Sequence, residues 1–158
     1  MRGRFFGKYR GVVTEVDTGF FGRIKAKVPA VLGEQPTGWC MPCVPYAGDD
    51  AGFAFLPEVG SGVWIEFEGG DVSYPIWAGC YWRSGEQPSA MAAAVKVLRT
   101  KGGIEVVLDD DAGSVTVEDP NGNKVTLDSA GVTLERGGGK LEITDGKLSA
   151  NSGALEVS

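Results

Sequence analysis

Four groups of residues in this chain have types and spacings that could do chemistry. Cys40-Met41-Pro42-Cys43 carries the spacing of a metal or redox motif. A zinc site asks for four ligands, and the chain has no histidine and no second pair of this kind. A redox CxxC opens a helix. This one lies in a strand-like run over 39–44, where positions three apart point to opposite faces. Cys40, Cys43 and Cys80 are therefore expected as buried free thiols. Asp109-Asp110-Asp111 could offer a carboxylate pair for sugar cleavage. The segments around it are too short to build a groove, and adjacent aspartates in a turn are usually just solvated. Gly102-Gly103 opens a calcium-type repeat that never recurs. Trp64, Trp77 and Tyr81 could form a stacking platform for single-stranded nucleic acid. A net charge of −6 and a pI near 4.7 oppose binding to a phosphate backbone. The reading therefore assigns no catalytic residue, no cofactor and no metal ligand.

The elements that would have to position such groups fall into two halves. All 15 Phe, Trp and Tyr lie at or before Trp82. From Gly103 onward the chain is a run of short glycine-led segments, each with an aliphatic pair at i, i+2. The pairs are Ile104/Val106, Val115/Val117, Val125/Leu127, Val132/Leu134, Leu141/Ile143, Leu148/Ala150 and Leu155/Val157. Period-2 alternation marks half-buried strands, and the glycines are expected to turn the chain between them at positive φ.

The first half reads as five strands. They are expected over 8–17, with Tyr9, Gly11, Val13 and Glu15 on one face, and over 23–28, with Ile24, Ala26 and Val28 inward. The others fall at 39–44, at 63–68 with Val63, Ile65 and Phe67 on one face, and at 74–82. A turn is expected over 18–22 and a polar loop over 30–38. An excursion over 45–62 is expected to have little regular structure and to be packed by Tyr46, Phe53, Phe55 and Leu56. Five short antiparallel strands with glycine at the bends suggest a small Greek-key barrel of the oligonucleotide/oligosaccharide-binding (OB) type. The expected divisions are an arm over 1–7, the barrel over 8–82, a linker over 83–94 and the ladder over 95–158.

The ladder predicts an oligomer. A solitary solenoid of seven such segments would have little more than two coils, whereas repeat folds need about three or more repeats and caps. Three chains together would form an edge-free prism of about seven layers, roughly 30–35 Å long. Its core would hold Ile104, Val106, Val115, Val117, Val125, Leu127, Val132, Leu134, Leu141, Ile143, Leu148, Leu155 and Val157. The last strand would leave a blunt end with Ala154, Leu155, Val157 and Ser158 at its rim. The charge is uneven: Arg2, Arg4, Lys8, Arg10, Arg23, Lys25 and Lys27 face only Glu15 and Asp17 within residues 1–27. That basic end could dock an acidic partner. Met1–Arg10 has no apolar h-region, and no run approaches the ~18 apolar residues of a membrane span. Synthesis in the cytoplasm without a signal peptide is expected.

The motifs resemble a known family. Gly22-Arg23-Ile24-Lys25-Ala26-Lys27-Val28-Pro29 resembles the G-R-[VI]-x-[VA]-x-[VI]-P strand of the contractile-tail spike barrel. Trp39 through Pro45 and then Tyr46-Ala47-Gly48 resemble its W-x-x-x-x-x-PYAG stretch. The segments 55–60 and 63–71 resemble its F-x-P-E-V-G-D-x-V-x-V-x-F-x-x-G-D signature, and Pro75-Ile76-Trp77-Ala78-Gly79 its P-x-x-x-G end. Arg99-Thr100-Lys101-Gly102-Gly103 to Asp109-Asp110, with Asn121-Gly122-Asn123-Lys124-Val125, is similar to the start of its β-helix, although Gly103 stands where the family has histidine. The family comprises phage baseplate spikes, VgrG proteins of type VI secretion and spikes of extracellular contractile injection systems. The resemblance implies an all-β homotrimer: an OB barrel on a separate hub protein, followed by an intertwined triple-stranded β-helix that punctures the target envelope. It also implies a PAAR-type tip protein on the blunt end, assembly into a baseplate, and no enzymatic activity. The alternative is an OB-fold module for nucleic acid or glycan with an oligomerising β-helix tail.

Overall fold

The computed structural model describes residues 3–19 and 22–157, with the backbone alone at Glu156. Arg2, the middle of the turn expected over 18–22, and Ser158 of the expected end platform lie outside the described residues. The chain is all-β and divides into two compact units, Met1–Glu86 and Gln87–Ser158. Among the described residues no helix is long and apolar enough to cross a membrane.

In the first unit, β1 (Tyr9–Val16), β2 (Ile24–Lys27), β3 (Met41–Pro42), β6 (Gly62–Phe67) and β7 (Pro75–Tyr81) form one curled sheet. Its order is β2-β1-β6-β7-β3. All pairs are antiparallel except β3 with β7, which run parallel. An isolated bridge between Ile24 and Cys40 joins the two ends of the sheet. Alternation dictates what fills the interior. Val13, Ile24, Ala26, Val28, Cys40, Val63 and Ile65 are at most 1% exposed, with Phe67 and Trp77 beside them. Phe5 packs edge-on against Tyr9 and Phe67, which tilt against each other, with ring centroids 5.8–6.4 Å apart. Thr37 is buried among these apolar groups, so its polar atoms need partners. Its Oγ1 accepts the Ala26 N–H at 3.0 Å and lies 3.1 Å from Cys40 Sγ.

The third strand is not continuous over 39–44: only Met41–Pro42 pairs as a strand. Pro42 has no N–H to donate, and the pairing resumes only where the Cys43 N–H meets the Trp77 carbonyl at 2.9 Å. The loop over 30–38 opens with a one-turn helix, α1 (Pro29–Leu32), which starts on the preset φ of Pro29 and stops at Gly33. Glu15 does not share the inner face of Tyr9, Gly11 and Val13, because a bulge between Val13 and Glu15 shifts the register and exposes it. Only Cys40 is a buried thiol; Cys43 and Cys80 are exposed. The excursion contains a minimal hairpin, β4 (Ala47–Gly48) with β5 (Ala51–Gly52). Tyr46, Phe53, Phe55 and Leu56 do not pack it, since each is at least 40% exposed.

The second unit is one eight-stranded antiparallel meander. It runs β8 (Val95–Arg99), β9 (Glu105–Asp109), β10 (Ser114–Glu118), β11 (Asn123–Asp128), β12 (Gly131–Arg136), β13 (Gly139–Thr144), β14 (Lys147–Ala150) and β15 (Leu155–Val157). Every strand pairs with its sequence neighbours, because links of a few residues allow nothing else. The ladder therefore gains one strand, β8, over the seven segments expected. Gly131 shows why glycine begins a strand here. Its φ is +136°, and a Cβ would stand 2.0 Å from the Ile143 carbonyl oxygen. A 3₁₀ turn over Asn151–Gly153 interrupts the regular ladder before β15, with Asn151 and Ser152 in the left-handed region.

Candidate functional site

Register sets which side chains share a face. Directly opposite residues across β8–β15 form two columns on one face of the meander. The first runs Lys96, Leu108, Val115, Leu127, Val132, Ile143, Leu148, Val157. The second runs Leu98, Val106, Val117, Val125, Leu134, Leu141, Ala150, Leu155. Apart from Lys96, both columns are aliphatic throughout. The paired aliphatics of the sequence reading thus come together on one surface. Ile104 precedes β9 and is 50% exposed, but it lines the same hollow as Val117, Val125, Leu134 and Leu141. The β9 pair is Val106 with Leu108, and β8 adds Leu98. Sequence reading missed Leu98 and Leu108, although the i, i+2 steps from Lys96 to Leu98 and from Val106 to Leu108 signal both.

This face is not a finished core. Leu98, Leu108, Val117, Leu127, Leu134, Ile143 and Leu148 remain 38–46% exposed, and Leu155 and Val157 more so. A shallow apolar hollow lies along it, lined by Val117, Val125, Leu134 and Leu141, with Arg136 at the margin. Covering an aliphatic side chain fully is worth about 1.5–3 kcal/mol. A contiguous face of this size is the signature of an interaction surface.

The opposite face is polar. One column runs Arg99, Glu105, Glu118, Lys124, Glu135, Lys140. Arg99 Nη1 lies 3.0 Å from Glu105 Oε1, off the direction of a hydrogen bond. Lys124 stands 3.9 Å from Glu118, and Lys140 4.0 Å from Glu135. Lys140 also bonds Glu142 at 2.7 Å, and that hydrogen bond, followed by the nearby charges of Glu142 and Glu135, raises its pKa. The neighbouring column carries Val107, Thr116, Thr126, Thr133, Glu142 and Ser149. Exposed pairs of this kind contribute at most about 1 kcal/mol each; their main effect is to keep this face in water.

The groups that could have done chemistry are used structurally. Asp109 accepts the N–H groups of Asp111 and Ala112 at 3.0 and 2.9 Å, and Asp110 pairs with Lys96. The aspartate run is therefore a turn plus an ion pair. Asp119 caps the next link. Its carboxylate takes the Asn123 side-chain amide at 2.7 Å, then the N–H groups of Asn123 and Asn121. Those bonds, the Asn123 side chain first, hold its pKa at about 2. No group of three or more potential metal ligands occurs among the described residues.

The stacking platform does not form either. Trp77 is a core residue at 4% exposure, and its indole N–H donates to the Gly22 carbonyl at 3.1 Å. Trp64 and Tyr81 lie outside the barrel, their rings 5.2 Å apart, with the Arg10 guanidinium over both. Tyr81 reaches that position because Gly62 leaves room: a Cβ there would meet the tyrosine ring at 2.8 Å. The Trp39 ring is covered in the same way by Lys25 Nζ at 4.4 Å and by Arg23. These cations also bond Glu15 and Asp17, so the basic strand is largely neutralised within the chain.

Residues 9–82 match the Type VI secretion system/phage-baseplate injector OB domain. Residues 95–156 match the phage baseplate V C-terminal trimerisation domain. No curated protein matches the chain. The parallel β3–β7 pair in an otherwise antiparallel curled sheet fits the first match, and the uncovered aliphatic face fits the second. The trimerisation match supports a homotrimer associated with a baseplate. The chain belongs to the phage-baseplate and type VI secretion spike family.

Proposed function

We propose that the chain is the non-enzymatic central spike of a contractile injection machine. Three copies turn their aliphatic columns inward and close a triangular β-prism, the triple-stranded β-helix of the spike. Val106, Val115, Val117, Val125, Leu127, Val132, Leu134, Leu141, Ile143, Leu148, Leu155 and Val157 form its core, with Leu98 and Leu108 added and Ile104 at the border. The barrel docks on a separate hub protein. Ala154, Leu155, Val157 and Ser158 form the platform for a tip protein of the PAAR-repeat type. Contraction of a sheath drives the prism through an envelope, and the prism transmits load because no strand edge is left open along its length.

The observation that carries this reading is the continuous aliphatic face across eight strands, half-exposed in the single chain. Mass by light scattering tests it: three times the 16.6 kDa of the chain is expected. A folded monomer at micromolar concentration refutes it. For the platform, a trimer lacking residues 153–158 stays folded and loses the tip protein; retained binding refutes that part alone.

A further inference from the structure

The first unit carries two surfaces that complement each other, one a half-buried aromatic cluster and the other an exposed excursion. One is the Arg10–Trp64–Tyr81 cluster on the outside of β1, β6 and β7. Arg10 Cζ lies 5.7 and 5.6 Å from the two ring centroids. Among the described residues Arg10 has no carboxylate partner; its charge is held only by the rings. The other surface is the excursion between β3 and β6. Phe53 and Phe55 stack there at 5.7 Å and are 55% exposed each. The β4–β5 hairpin beside them carries Asp49 and Asp50 at its tip, with Asp50 in the left-handed region at φ 50°. Among the described residues neither carboxylate meets a cation.

We propose that these surfaces dock on each other between copies: the excursion of one barrel packs on the Arg10–Trp64–Tyr81 face of the next. The stacked phenylalanines cover what the fold leaves accessible of the half-buried Trp64 and Tyr81, and the hairpin carboxylates reach Arg10. The match is both apolar and electrostatic, and charge complementarity of this kind fixes register between partners. The two surfaces differ, so the contact is head-to-tail, and a head-to-tail contact closes only as a ring. The inference rests on the trimeric reading above, which sets the ring at three. It assigns the barrels an interface of their own, separate from the aliphatic prism.

The test uses the full chain with Cys43 and Cys80 replaced by serine and two cysteines introduced, Lys8→Cys beside the cluster and Asp49→Cys on the hairpin. Cys40 is buried and stays. A short bis-maleimide is added and the product is run on a denaturing gel, with light scattering on the same sample. Covalent dimers and trimers, absent from either single-cysteine chain, support the proposal. Arg10→Glu is then expected to lower their yield about tenfold, and Asp50→Lys added to it to restore the yield. A trimeric mass without covalent products overturns this interface and leaves the prism standing; the excursion then faces another protein, such as the hub. A cross-link within one chain overturns it too. A monomeric mass overturns the trimeric reading itself.

Discussion

The two units solve the same problem in opposite ways. Both are antiparallel sheets built on period-2 alternation. In the barrel the sheet curls until its inner residues meet, and Ile24, Val28, Val63 and Ile65 reach zero exposure. In the meander the same alternation yields two straight columns whose aliphatic residues stay half in water. The difference lies in the devices between the strands. The barrel has a bulge at Val13/Glu15, another irregularity between Val63 and Ile65, and a parallel closing pair. Bulges bend a sheet and increase its twist. The meander strands pair without a register shift. A sheet with no device to close it needs another surface to cover its apolar face, and the trimerisation match points to other copies.

The largest effect is expected where that distinction is attacked directly. Leu141→Asp or Ile143→Asp puts an unpaired charge into the proposed prism core, which is expected to cost several kcal/mol per copy. Assembly should be abolished while the barrel still folds, read by light scattering together with near-ultraviolet circular dichroism of the tryptophans. Glu142→Lys, one residue away on the opposite face, should leave a trimer. If both positions respond alike, the face assignment is wrong. In the barrel, Ile65→Ala should cost about 2–5 kcal/mol of that unit's stability by leaving a cavity. The trimeric mass should survive it. Loss of the trimer in Ile65→Ala would show that the barrel, and not the ladder, holds the chains together.

A smaller effect separates steric need from turn preference within the meander. Gly131→Ala must displace the Ile143 carbonyl and should cost about 2–4 kcal/mol. Gly122→Ala replaces a glycine that is also at positive φ, +79°, with nothing within 4 Å of the added carbon. It should cost only about 1 kcal/mol. Urea midpoints of the two variants give the comparison.

The smallest effect is a pH slope. Asp119 has a folded pKa of about 2 against an ordinary value of 3.8. Because the folded value is depressed, its contribution is complete above pH 3.8 and is lost as the pH falls toward 2. Asp119→Asn should flatten the part of the acid destabilisation that falls in that window. The Asp17 carboxyl is also lowered, by the Gly19 N–H and then by Arg23, so its contribution to acid destabilisation in the barrel is left in place by the substitution.

How much was legible follows from the same physics. The inward sets Ile24/Ala26/Val28 and Val63/Ile65/Phe67 were readable because alternation on a one-sided sheet leaves no second solution. So were the aliphatic pairs of the ladder. What alternation does not record is where it breaks. The bulge that exposes Glu15 depends on a register shift between neighbours. Pro42 interrupts a run whose composition reads as a strand. The exposed Cys43 and Cys80 lie where period and burial part company. Trp77 looked like a companion of Trp64 because both are strand tryptophans. Which of them points inward depends on the irregularity between Val63 and Ile65, a pairing feature absent from the local sequence. Leu98 and Leu108 went unread for a simpler reason: one aliphatic pair per segment was sought, and these segments carry a longer alternation.

The nearest-neighbour order of the meander bears on how such a protein changes length. Each strand contacts only the strand before it and the strand after it in sequence, so a hairpin is a removable unit. Excising two consecutive strands with their links preserves both chain direction and column parity, and every aliphatic below the cut still finds its row. Excising one strand reverses the direction of everything that follows. Lengthening or shortening in lineages of this chain is therefore expected in steps of two strands, about 16–20 residues or roughly 9–10 Å of ladder each.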